Sequence, residues 1–176
     1  MELEQQRAKA LFTQFRGSTI LMHREGVYNE YKSYLASKEM ELQWVQEMID
    51  RFTRELSIRD WEVLSSLASI ARDFKDVRVL TNVVSFASKH IKSADSLVKL
   101  KYAESIVDML TSVKAVISQE TLFESLKTTK IILDDIMLNP LILDPGHELK
   151  QFNLKDKKSL NLRANNSIEQ LKSFMS

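Results

Sequence analysis

Apolar side chains recur along the chain at intervals of three and four residues, the spacing of one face of an α-helix. The pattern predicts six helical segments before its character changes near Asn139. The first covers residues 2–16, with Leu11 and Phe15 four apart and Phe12 beside them, and ends at Gly17, a residue that readily takes the left-handed conformation of a helix end. A short piece, 18–25, precedes Gly26.

The strongest pattern follows. Tyr28, Tyr31, Leu35, Lys38, Leu42, Val45, Ile49, Phe52 and Leu56 alternate three and four residues apart, a heptad seam broken in polarity only by Lys38. The spacing predicts one long helix over 28–56. Met40, Trp44 and Met48 add a second apolar stripe at intervals of four. Burying the seam contributes on the order of 10 to 20 kcal/mol gross, less than the cost of ordering that length of chain. The helix therefore needs neighbours on more than one side and is expected at the centre of a bundle.

Shorter helices with oxygen-bearing start signals come next. Ser57 with Asp60 precedes a face of Trp61, Leu64, Ala68 and Ala71, and Asp76 precedes Leu80, Val83, Ala87 and Ile91. Ser93 precedes Leu97, Leu100, Ala103, Val107 and Leu110, and Ser118 precedes Leu122, Leu126, Leu133 and Met137. Ser57 and Ser93 lie 36 residues apart, near a helical-hairpin repeat, but Ser93 and Ser118 lie only 25 apart and no motif recurs. A bundle is favoured over a short helical-hairpin array.

Beyond Asn139 the chain gathers both prolines and the third glycine. Phe152 and Leu154 alternate with polar residues, as do Leu160 and Leu162, which predicts a small β-hairpin or an extended arm before a last short helix over 167–175. The fold expected is all-α: a helical bundle domain over 1–138 with one long heptad-patterned helix, and a partly extended C-terminal arm over 139–176 packed on it.

Composition narrows the chemistry. The 176 residues include three glycines, two prolines and no cysteine, so disulfides, thiol nucleophiles and cysteine-based metal sites are excluded. The three glycines are too scattered for a phosphate-cradling loop. Lys and Arg total 25 against 24 Asp and Glu, which removes a whole-domain attraction to nucleic acid or to an acidic membrane. The acidic, polar N-terminus and the lack of a long apolar run lead us to expect a soluble cytoplasmic protein without a membrane segment.

Three clusters carry candidate chemistry. Asp144 and His147 flank the Pro145-Gly146 turn and offer metal-ligating atoms, although a solvated turn is the stronger reading and neither metal nor cofactor is expected. No histidine has a glutamate three residues before it, so the di-metal motif of helical bundles is missing. Asp134 and Asp135 sit oddly near a helix C-terminus, where the dipole disfavours acids.

Lys150, Phe152, Lys155, Lys157, Lys158 and Arg163 form a basic stretch with one aromatic, an alternative nucleic-acid-binding segment. The opposing reading packs Phe152 and the leucines on the bundle and leaves the lysines in water. Finally, the 15–34 segment holds Arg16, His23, Arg24, Tyr28, Tyr31 and Tyr34, which together would suit an anionic ligand. Read structurally, the same stretch is a joint between helices. With no catalytic constellation in view, the expected function is a non-enzymatic protein–protein interaction or regulatory module, with a protein partner or self-association. Nucleic-acid binding, and an anionic-ligand or enzymatic site in 15–34, are the alternatives.

Overall fold

The computed structural model describes residues 1–175 and is all-α. Among the described residues there are nine α-helices and no strand. The chain divides into two compact units, 1–54 and 55–176, so the residues after Asn139 belong to the body of the second unit.

The first unit holds α1 (Glu2–Gln14), α2 (Thr19–Arg24), α3 (Tyr28–Ser33) and α4 (Lys38–Arg54). Its core joins Ala8, Leu11 and Phe12 to Met22, Tyr31, Trp44, Val45, Met48 and Ile49. The Phe12 ring stands 6.1 Å from Tyr31 and 5.4 Å from Trp44. Ser18 caps α2 by accepting the Leu21 N–H, and Gly17 and Gly26 take positive φ at the two joints.

The long helix expected over 28–56 is two helices. Leu35 has φ 52°, Ser37 accepts the Met40 N–H, and Glu39 and Glu41 occupy the first turn of α4, so a new helix begins inside the seam. Its cost is visible in the seam itself: Leu35 is 85% exposed and Leu42 52%. The buried face of α4 combines the two predicted stripes, with Trp44 beside Val45 and Met48 beside Ile49. Because Leu35 is a solvent-facing residue in the left-handed region, Leu35→Gly is expected to raise the stability of this unit by about 1 kcal/mol, read from the midpoint of denaturant unfolding.

The second unit holds α5 (Glu62–Phe74), α6 (Val77–His90), α7 (Ser96–Val113), α8 (Gln119–Leu138) and α9 (Lys157–Lys172). Its centre is α7, which packs against the other four. Leu97, Leu100, Ala103, Ile106, Met109, Leu110 and Val113 of α7 are all buried, with Tyr102 among them donating its hydroxyl to the Ser57 carbonyl at 2.9 Å.

Asp76 and Ser118 cap α6 and α8 as expected, accepting from the N–H groups of Arg78 and Thr121. Two other starts differ. Ser57 turns back on the Arg59 N–H while α5 begins only at Glu62, and the cap of α7 is Asp95 rather than Ser93, which lies in a 3-10 turn. The expected hairpin is also replaced by helix, while 140–148 of the expected arm is irregular chain. Residues Leu149–Phe152 form a 3-10 turn, and α9 starts on Asp156, which accepts the Ser159 N–H while the Ser159 hydroxyl receives the Asp156 N–H. Leu160, Ala164, Ile168 and Leu171 then bury one helical face, and the alternating Leu162 is left 64% exposed.

Candidate functional site

The residues of the 15–34 patch do not share one site. Tyr31 is buried and donates its hydroxyl to Glu41 at 2.6 Å; burial first, then Glu41, pushes its ionisation above the ordinary tyrosine range. The His23 and Tyr28 rings stack at 3.9 Å, with His23 and Arg24 exposed. Tyr34 donates to Glu30 at 3.0 Å, and Arg7 pairs with the same carboxylate at 2.7 Å; together they hold Glu30 below the usual carboxylate range. Arg16 lies instead in a cleft with residues of α1 and α4.

The basic stretch is largely absorbed by the fold. Phe152 is buried, edge-on to Trp61 at 4.9 Å, and the Arg163 guanidinium lies over its ring at 5.5 Å. Arg163 also donates to both Glu104 oxygens at 2.7 and 3.0 Å and to the Phe152 carbonyl at 2.6 Å. The Lys157 ammonium donates to the Ile136 carbonyl, and burial lowers its pKa. Lys150, Lys155 and Lys158 remain exposed, Lys150 beside Glu148 at 2.9 Å.

Lys157 also answers the oddity of Asp134 and Asp135. It supplies a cation to the Ile136 carbonyl in the last turn of α8, Asp134 pairs with Lys130 at 2.6 Å, and Asp135 pairs with Lys99 at 2.5 Å. Three ammonium groups thus offset two acids at a helix end.

Asp144 and His147 are joined through Asp95, the N-cap of α7. Asp95 is 1% exposed. One of its oxygens accepts the Val98 N–H at 2.9 Å, and the other accepts the Asp144 N–H at 2.9 Å and meets His147 Nδ1 at 2.5 Å. The Trp61 ring lies 4.7 Å from the imidazole, and Arg59 approaches Asp144 at 3.7 Å. Asp95, Asp144 and His147 place donor atoms within 4.8 Å of one another, the grouping a divalent cation would use. Both Asp95 oxygens are already engaged, so the arrangement acts as a clamp between the start of α7 and the 141–148 loop.

One surface feature without an internal use is a groove between α8 and α9, of about 400 Å³. Phe123, Leu126, Ile168, Leu171 and Met175 line it, and its charged residues are Lys127, Lys130 and Lys172, with no acid in the lining. Phe123 is 64% exposed. Lys130 and Lys172 hold exposed ion pairs with Asp134 and Glu169, at 2.6 and 2.9 Å, which bind them weakly. Across Lys127, a second cleft runs past Ile91, Ile131 and Ile132 towards Asp135. Phe123, Lys127 and Ile131 are therefore four apart on one exposed stripe of α8. No helix among the described residues is long and apolar enough to cross a membrane. The chain matches no protein-family model, no curated protein and no solved structure.

Proposed function

We propose that the chain is a non-enzymatic protein-interaction module whose α8–α9 groove receives the apolar face of an acidic amphipathic helix from a partner protein. One observation carries this reading: a groove with an apolar floor whose only charged lining residues are three lysines. Exposed apolar surface rimmed by charge is characteristic of binding sites, and a groove between two helices suits a third helix that lays anchors at i, i+3 or i+4, and i+7. Carboxylates on the polar flanks of that helix would meet Lys127, Lys130 and Lys172. Their long stems cover apolar surface while their charges steer the approach.

A second copy of this chain fits less well. Antiparallel pairing of α8 about Lys127 would set two Lys127 side chains against each other.

The test is fluorescence anisotropy with two synthetic amphipathic helices of the same apolar face, one carrying glutamate and the other lysine on its polar face. The acidic helix is expected to bind with an affinity that falls as salt rises, and Phe123→Asp is expected to weaken it at least about tenfold. Because Phe123 is 64% exposed, the same substitution should leave the melting temperature unchanged. Equal binding of the two helices, or undiminished binding by Phe123→Asp, would refute the proposal. A dimer in light scattering that Phe123→Asp dissolves would assign the groove to self-association instead.

A further inference from the structure

We infer that the first unit carries an oxyanion site, built by Arg16 and Arg51, that takes a phosphate monoester. The two residues line a shallow cleft of about 640 Å³ between α1 and α4, together with Lys9, Thr13, Gln14 and Phe52. Three of these side chains are cations and none is an acid.

The Arg16 guanidinium is the informative group. Its Nε atom is buried and has no hydrogen-bond partner, whereas buried polar atoms in folded proteins are almost always satisfied. Arg16 is partly exposed, lines the open cleft and makes no ion pair among the described residues, so its guanidinium can take an acceptor brought from outside, and the acceptor that matches its planar fork is an oxyanion. Arg51 stands over the Phe52 ring at 4.7 Å and has no carboxylate partner among the described residues. Lys9 is already paired with Glu47, whose carboxyl it holds below the usual range, so Lys9 adds field rather than a free contact.

Two guanidinium groups without a carboxylate partner balance the charge of a phosphate monoester, which is near two at neutral pH. The hydroxyl of Thr13 and the amide of Gln14 supply neutral donors at the same wall. Arg16 has a positive φ, a conformation that Leu35 and Lys75 also adopt at other helix ends. It provides a clean variant: Arg16→Gly removes the guanidinium at a position where glycine relieves backbone strain.

The experiment follows the arginine Nε–Hε signals of the full isotope-labelled chain by NMR during titration with inorganic phosphate and with phenyl phosphate, against sodium chloride at matched ionic strength. Saturable shifts of the Arg16 and Arg51 signals are expected, with Arg7, tied to Glu30, unmoved. Affinity should fall at least about tenfold in Arg16→Gly, with the melting temperature retained. Arg51→Gln, which leaves the backbone of α4 undisturbed, should weaken binding as well. Binding of phenyl phosphate alone would identify an ester as the source, and binding of both would identify the phosphate group itself. The inference is overturned if chloride produces the same shifts, if exposed arginines such as Arg24 and Arg54 shift equally, or if both variants bind as the parent does.

Discussion

Asp95→Ala is expected to lower the stability of the 55–176 unit by about 2–4 kcal/mol, a fall in melting temperature of roughly 10 °C. The helix cap alone accounts for about 1 kcal/mol. The remainder comes from the Asp144 N–H and the His147 ring, which both lose their acceptor at a carboxylate that is 1% exposed. Asp95→Ser should recover the cap and little else, because a hydroxyl cannot serve Val98 and the 141–148 loop together. Denaturant unfolding of the three proteins measures the difference. A loss below about 1 kcal/mol for the alanine variant would show that the loop is held by other contacts.

Arg163→Ala ranks second, at about 2 kcal/mol. Arg163 ties α9 to Glu104 on α7 and to the Phe152 carbonyl, and its guanidinium lies over the Phe152 ring. Its side chain is 36% exposed, which reduces the electrostatic part, but the packing on Phe152 is lost as well. Arg163→Lys should rescue little of this, since an ammonium cannot span two Glu104 oxygens and a carbonyl at once. Lys155→Ala, at an exposed position in the same basic stretch, is expected to change stability by less than about 0.5 kcal/mol. Thermal unfolding of the three variants separates a residue that builds the fold from one that merely adds charge. If Arg163→Ala and Lys155→Ala melt alike, the assignment of Arg163 to the fold is wrong.

What the sequence showed well was local. Asp76 and Ser118 were readable as helix starts because a cap acts on an N–H two or three residues ahead. The break at Leu35 was harder, because heptad spacing continues through it and counting apolar intervals ignores the backbone. The competing signal was Ser37 followed by Glu39 and Glu41, a helix start inside an apparent helix. The centre of the second unit was legible by the criterion applied to 28–56: α7 carries two apolar stripes, one through Leu97, Leu100 and Ala103 and the other through Val98, Tyr102 and Ile106. In the last segment, alternation of Leu160 and Leu162 spans too few residues to identify a strand, and Asp156 with Ser159 decided for helix. The candidate sites depend on pairings far apart in sequence. Asp95 meets His147 across 52 positions, and Arg163 meets Glu104 across 59, distances at which no local pattern operates.

The two tryptophans fall one in each unit. Trp44 is buried beside Phe12, in surroundings that favour blue-shifted emission, while Trp61 lies against the His147 and Phe152 rings. Replacing either indole by phenylalanine would leave a single optical reporter for the other unit. Whether 1–54 and 55–176 unfold as one cooperative body or as two thus becomes visible in the emission of the two single-tryptophan variants, without an attached dye.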